Sequence, residues 1–335
     1  MNETLFTICV PSYNAVKYLP SLFRSIKDQT YSNWNIVIVD DFSTDETTSY
    51  LQSQETIPST KIKFFQQEKR KGPFNARRKA FSLATGNYIL CIDADDELAD
   101  NNVLLNLNSI ITTHNPDVVM FNITRDKTND KKFIDYESLS FNSEKMYGQK
   151  EVFEAFLATY SLNNLASKAI KRDLFLLDET KDNFIINEDR FEFFSILKQA
   201  KSFYLIDKPF YFYRITDTST TESRLSFKHF EQITKIEQAI NNYASLCNIE
   251  TKKELTQYLS SVDTVARRLI RNDAKKDKED LLKIGKEPFF KHAVESCDLN
   301  LFSPVMKLSF KLLYKEHIGR AYFLNKTRLS KRQDS

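Results

Sequence analysis

Tyr88-Ile-Leu-Cys-Ile-Asp93-Ala-Asp95-Asp96-Glu97 is an apolar strand that runs straight into four carboxylates. Acids clustered this closely repel one another unless a cation sits among them. Hard divalent ions take oxygen ligands and bridge carboxylates to substrate phosphates, so acids at a strand's C-terminal edge suggest a metal-diphosphate site. Open α/β sheets bind ligands at that edge. A solvated acidic turn opening the next helix accounts for the same residues, because Asp and Glu are favoured in a first helical turn. Read alone, the segment leaves both accounts open.

The residues around it alternate short β-rich runs with amphipathic stretches. Leu5 to Val10 reads as a strand, and Val16, Leu19, Leu22, Phe23 and Ile26 then recur at helical spacing. Asn35 to Val39 is a second strand, after which Ser43 or Thr44 stands where a helix cap would. Lys61 to Phe65, Tyr88 to Ile92 and Val118 to Asn122 follow as strands, with a helix over Phe74 to Ala84. Strands of this length separated by helices imply βαβ units and a mostly parallel sheet flanked by helices. Thr124 to Tyr147 is polar and reads as a loop before a helix at Lys150 to Tyr160. Beyond Ser226 the pattern lengthens into helical periodicity, through Phe230, Ile233, Ile236 and Ile240 and then Leu255, Leu259 and Val262. A boundary near residue 222 is expected, giving domains 1–222 and 223–335.

The composition narrows the function classes. The chain has 335 residues, 41% of them hydrophobic, enough for a sizeable core. A net charge of +3 from 48 Lys+Arg and 45 Asp+Glu argues against a dedicated nucleic-acid binder. The N-terminal Met1-Asn-Glu-Thr-Leu-Phe has no basic region leading into an apolar one, and no apolar run approaches the roughly 20 residues that cross a bilayer. A cytoplasmic protein is expected. Cys9, Cys91, Cys247 and Cys297 are scattered, as are the four histidines, so neither a disulfide framework nor a zinc site is indicated. None of the five glycines falls in a dinucleotide-binding or P-loop array, so a nucleotide would have to be held by carboxylates, cations and a metal.

Four short elements gain meaning from their order: Val10-Pro11-Ser12-Tyr13-Asn14, Val39-Asp40-Asp41-Phe-Ser43-Thr-Asp45, Gly72-Pro-Phe-Asn-Ala76-Arg77 with Ala84-Thr-Gly86-Asn-Tyr88, and Asp93-Ala-Asp95-Asp96. Together they resemble the nucleotide-binding half of family 2 glycosyltransferases, which have the GT-A fold. The resemblance is close over the first 100 residues or so and extends through Asn164 to Phe175, Asn187-Glu188-Asp189 and Tyr211-Phe-Tyr213-Arg214.

The resemblance implies roles. Asp40 would contact the nucleobase, with Asp41, Pro11, Tyr13 and Asn14 in the same pocket, although carboxylates at this position also cap helix N-termini. Arg77 and Arg214 would meet the diphosphate, for which an arginine fork is suited. Asp95 would be the direct ligand of Mn²⁺ or Mg²⁺, Asp96 its support or second ligand, and Asp93 would lie nearer the ribose. Asp189 would be the catalytic base, although it also sits where a helix begins. The sequence departs from the family pattern at Arg78 and Ala80, and at Thr216, where a histidine is usual.

The expected activity is that of an inverting, metal-dependent hexosyl- or N-acetylhexosaminyltransferase. It would use a nucleoside diphosphate sugar, UDP-linked by preference, and a hydroxyl of a bacterial surface glycan or lipid-linked oligosaccharide, as in capsule or lipopolysaccharide assembly. A nucleotidyltransferase would want a glycine-rich, lysine-bearing loop after the first strand, and a non-catalytic nucleotide-sugar binding partner would not need Asp189. From Lys307 onward, cations interleave with Val305, Leu308, Phe310 and Phe323. That pattern suits a peripheral contact with an anionic membrane surface, a homo-oligomer contact, or a helical subdomain with a solvated basic face.

Overall fold

The structure, a computed structural model, describes residues 3–126, 128, 132–175, 183–215, 225–270 and 273–333, with 330–333 as backbone only. The chain divides into two compact units, Met1–Ala155 with Ser161–Asp217, and Phe156–Tyr160 with Thr218–Ser335. The boundary expected near residue 222 lies outside the described residues.

The first unit begins with β1 (Phe6–Ser12), α1 (Leu19–Lys27), β2 (Trp34–Asp40), α2 (Thr47–Ser53), β3 (Ile62–Gln66), α3 (Pro73–Leu83) and β4 (Tyr88–Cys91). These are the strands and helices that the alternation implies, shifted slightly at their ends. β5 (Glu97–Leu98), α4 (Val103–His114), β6 (Val118–Thr124), β7 (Lys145–Gly148), α5 (Gln149–Ala158, its residues from Phe156 counted in the second unit), β8 (Lys168–Lys171), α6 (Glu188–Leu197) and β9 (Ser202–Phe212) follow. The strands form one sheet in the order β3-β2-β1-β4-β8-β6-β9-β5, with β7 paired to β9. β1, β2, β3 and β4 are mutually parallel, and β6 is parallel to β9. Between these halves β8 runs antiparallel to both β4 and β6.

Burial explains the parallel half. Every residue of β1 is buried, as expected for a strand covered on both faces. α1 turns Leu19, Leu22, Phe23 and Ile26 onto the sheet and leaves Arg24 and Lys27 in its last turn. Gly86 lets the chain enter β4 tightly, because a Cβ there would stand 2.6 Å from Leu5 O and Thr7 N.

Two segments depart from the simple loop reading of 124–147. β7 forms at its end, and the buried Asn122 draws residues 133 and 134 against β6: its Oδ1 accepts from Phe133 N (3.0 Å) and Ile134 N (2.9 Å). Its amide in turn donates to Ile134 O (2.7 Å) and Asp207 (2.8 Å).

The second unit is helical: α7 (Phe227–Leu246), α8 (Lys252–Arg268), α9 (Ala274–Lys286), α10 (Pro288–Ser296), α11 (Pro304–Tyr314) and α12 (Ile318–Gln333). Its core includes Ile233, Ile236, Ile240, Tyr258, Leu259 and Phe290. Buried Asp263 ties α8 to α12, accepting from both terminal nitrogens of Arg328 at 2.6 and 2.7 Å. Among the described residues no helix is long and apolar enough to cross a membrane.

Candidate active site

The strand ends of the parallel half carry most of the residues singled out above. Ser12, last in β1, is paired in register with Asp40, last in β2, so the two following loops leave the sheet side by side. Asn14 adopts a left-handed φ of 49°, and its Oδ1 accepts from Thr44 N at 2.8 Å, joining those loops. Asp40 is fully buried and folds its own turn, accepting from Ser43 N at 2.9 Å and from the Ser43 hydroxyl. Ser43 and Thr44 therefore do not cap α2. Glu46 occupies the N-cap without a side-chain cap, and the Asp45 carboxylate accepts from Thr47 N at 3.0 Å in the turn before the helix.

Asp41 reaches the other way, to the loop before α3. Its oxygens accept from Lys71 N (2.7 Å), Gly72 N (2.8 Å) and the Gln67 amide (3.1 Å). Gly72 then takes a φ of 89°, a conformation that favours glycine, and Pro73 starts the helix. In this loop Arg70 lays its guanidinium 3.9 Å from the centre of the Tyr13 ring. The partnership was not legible in the sequence, since the two residues are far apart and neither belongs to a motif that pairs them.

The four acids after β4 separate into two kinds. Asp96 is only 2% exposed, and its oxygens accept from the Tyr211 hydroxyl (2.6 Å) and from Arg214 N (2.8 Å). Glu97 pairs with the Arg214 guanidinium. Arg214, expected to meet the diphosphate, also donates to Asp95 O (2.9 Å) and Ser21 Oγ (3.0 Å) and so braces the acid turn. Asp93 and Asp95 remain: among the described residues no hydrogen bond or ion pair engages either carboxylate. Burial raises the Asp93 carboxyl to about 6 against the opposing pull of Arg77, with Asp189 and Asp95 adding to the rise. Burial, then repulsion from Asp93, takes Asp96 to about 8.

Arg77 sits in α3 at 4% exposure, beneath the first turns of α6. Its Nη1 pairs with Asp189, its Nη2 with Glu188 at 2.8 Å, and its Nε approaches Glu192 at 3.5 Å. Asn187, at a left-handed φ of 53°, turns the chain into that helix so that Glu188 and Asp189 occupy its first turn. The Asp189 side chain is 37% exposed.

Arg77, Asp93, Asp96 and Asp189 line one cavity of about 240 Å³, whose wall also includes Asn164 and Leu165. Pro11, Tyr13, Asn14, Asp40, Asp41, Asp95 and Arg214 lie outside that lining. Buried Lys168 holds the 162–167 segment in place, donating to Leu162 O at 2.9 Å and to Asn164 O, with its ammonium over the Phe193 ring.

Two more lining residues, Arg125 and Phe133, escaped the sequence reading, and a third, Tyr213, entered it as a motif landmark without a site role. The Arg125 guanidinium lies 4.5 Å from the Phe133 ring centre and 5.1 Å from that of Tyr213. No carboxylate pairs with it among the described residues. Arg125 follows a strand inside a polar, charged stretch, where nothing local separates it from a solvated cation.

The donor chemistry of Asp93 and Asp95 fits a hard divalent ion. Mg²⁺ and similar ions are commonly held by one or two carboxylates plus substrate phosphates, not by an all-protein cage. Among the described residues no three His, Cys, Asp or Glu side chains are assembled into such a cage.

Residues 7–166 match the model of the family described as Glycosyl transferase family 2. A 95-residue stretch is 39% identical to the putative teichuronic acid biosynthesis glycosyltransferase TuaG of Bacillus subtilis strain 168, covering 28% of this chain and 37% of that protein. The matched stretch thus spans little more than a third of the relative's length. The crystal structure of S. aureus TarS 1-349 in complex with UDP-GlcNAc is similar over 99% of this chain and 92% of that one, with a TM-score of 0.67 at 16% identity. The mannosyltransferase PcManGT from Pyrobaculum calidifontis, in complex with GDP-Man and Mn²⁺, is similar over 97% and 88%, with a TM-score of 0.53 at 17% identity. At such identities the likeness is one of fold: an α/β sheet of the GT-A type with a helical C-terminal region.

Proposed function

Since residues 7–166 belong to glycosyl transferase family 2, we propose that this chain is an inverting glycosyltransferase. It moves a sugar from a nucleoside diphosphate donor, UDP-linked by preference, to a hydroxyl of a bacterial surface glycan or its lipid-linked precursor. The observation that carries this reading is the sorting of the acids: Asp96 and Glu97 are engaged by Tyr211 and Arg214, while the Asp93 and Asp95 carboxylates are unengaged among the described residues.

In this reading Asp189 takes the proton of the acceptor hydroxyl. The freed oxygen bonds to the anomeric carbon as the bond from that carbon to the diphosphate oxygen breaks on the opposite face, so configuration inverts. Asp95, with Asp93 beside it, would hold Mn²⁺ or Mg²⁺ against the donor, and the bound ion would supply positive charge opposite the departing diphosphate. The Asp96 carboxylate serves the turn instead. The loops tied by Asn14, Asp40 and Asp41 present Tyr13 to the nucleoside, and Pro11 lies buried near the end of β1. Arg125, with the rings of Phe133 and Tyr213 close to it, offers the sugar and phosphate groups a cation beside two aromatic side chains.

A lipid-linked acceptor would be reached through the second unit. Val305, Leu308 and Phe323 stand exposed on α11 and α12, with Lys311, Arg320 and Lys326 exposed on the same helices, a composition suited to an anionic leaflet.

The test is a donor screen of UDP-, GDP-, dTDP- and CMP-sugars with and without Mn²⁺, followed by NMR assignment of the anomeric configuration of the product. Transfer from one donor with inverted configuration is expected. A product that retains the donor's configuration would overturn the single-displacement reading.

A further inference from the structure

Arg77 matches a position expected to grip a diphosphate, yet a carboxyl group stands at every edge of its guanidinium. Asp189 takes Nη1, Glu188 lies 2.8 Å from Nη2, and Glu192 lies 3.5 Å from Nε. All three acids come from the first two turns of α6, and Arg77 is 4% exposed. A bidentate grip on phosphate requires the open fork of the guanidinium, and here both tips of the fork are occupied by carboxylates.

The acids are not equivalent. Glu192 is 5% exposed, and neither of its oxygens accepts a hydrogen bond among the described residues, so Arg77 is the group that makes its burial tolerable. Burial pushes the Glu192 carboxyl well above the usual range, with Arg77 opposing, and it pushes Glu188 up in the same way. Asp189 is the most exposed of the three and lines the cavity. Arg77 engages its Oδ1, and its Oδ2 has no hydrogen-bond partner among the described residues.

We propose that Arg77 is a positioning residue for the base and does not touch the donor: it fixes the Asp189 carboxylate on Oδ1 and leaves Oδ2 to receive the acceptor's proton. Glu188 and Glu192 hold the guanidinium in turn, so the base is oriented by a group that is itself locked. The proposal rests on the reading of Asp189 as the base. It also assigns the grip on donor phosphate to other groups, with Arg125 as a cation in the cavity that no carboxylate neutralises among the described residues.

The experiment compares Arg77→Lys, Arg77→Ala and Asp189→Asn in the full chain. Turnover and donor KM are measured, and UDP, then GDP, is titrated calorimetrically in Mn²⁺. For Arg77→Ala, kcat is expected to fall about 100-fold or more, the lower end of what a positioned base contributes, with nucleotide affinity held within about threefold. Arg77→Lys keeps the buried charge but not the fork. It should remain folded and recover part of kcat, again with nucleotide affinity unchanged. A loss of nucleotide affinity of about tenfold or more in Arg77→Lys would overturn the proposal and return Arg77 to the diphosphate. Full activity in Asp189→Asn would instead sink the assignment of the base, a separate and distinguishable failure.

Discussion

The Tyr211 hydroxyl donates to Asp96 Oδ2 across 2.6 Å, joining residues 115 positions apart. With Arg214 N on the other oxygen, the end of β9 is fastened to the acid turn that follows β4. One carboxylate thereby becomes part of the scaffold, although the sequence places it in the same cluster as the proposed ligands.

Burial raises the Asp96 carboxyl from 3.8 to about 8, so between those values the folded chain binds a proton that the unfolded chain does not. The associated stability is complete below the unfolded value and is lost as pH rises through about 8. Asp96→Asn stays neutral throughout. In EDTA, the melting temperature of Asp96→Asn minus that of the parent should therefore grow from pH 5 to pH 9. A difference that is flat across this range would show that Asp96 is ionised in the fold.

Asn122 uses both ends of its amide to hold residues 133 and 134 against β6. Removing it leaves several buried polar groups without partners, at about 1–3 kcal/mol each before relaxation. Asn122→Ala should lower stability by at least about 2 kcal/mol in urea unfolding. It should also speed hydrogen exchange at Phe133 and Ile134 more than at β1 amides, and uniform exchange would argue against a local role.

Arg125 lies against two rings and has no carboxylate partner among the described residues, so its removal strands no buried charge. Arg125→Ala should leave the melting temperature nearly unchanged and raise donor KM about tenfold, the effect of losing one hydrogen bond to a charged group. An unchanged donor KM with a raised acceptor KM would place it on the acceptor instead.

Asp41 accepts from two successive backbone amides, Lys71 N and Gly72 N, and so sets the loop that carries Arg70 to Tyr13. Asp41→Ala should cost about 1–3 kcal/mol of stability and weaken UDP binding, whereas Arg70→Ala should weaken binding alone. Equal effects of both variants on stability would contradict this division.

The first four strands and their helices were legible because local information fixes them: β1 is buried throughout, and α1 repeats its apolar residues at helical spacing. β8 was not, because Lys168 to Lys171 is a short run whose burial comes from being inserted between β4 and β6. The site was legible as a set of residue types but not as a set of partnerships. Asp93, Asp95 and Asp96 look alike in sequence, and only the arrival of β9 assigns Asp96 to Tyr211. Likewise, the contact of Arg77 with Glu188 and Asp189 spans more than 100 residues and depends on where α6 begins. Helix capping was weighed beside the ligand role of Asp40, but the structure shows Asp40 folding its own turn and Asn14 tying its loop to the neighbouring one at Thr44, and neither partnership was read from the sequence.

The most direct test of the account is nucleotide release in Mn²⁺ from the preferred donor and acceptor, comparing the parent chain with Asp95→Asn and Asp189→Asn, alongside UDP binding to each. The account predicts that both variants lose turnover by about 100-fold or more, that Asp189→Asn still binds UDP with Mn²⁺ as the parent does, and that Asp95→Asn loses the Mn²⁺ dependence of that binding. Turnover within about threefold of the parent in Asp189→Asn would contradict it.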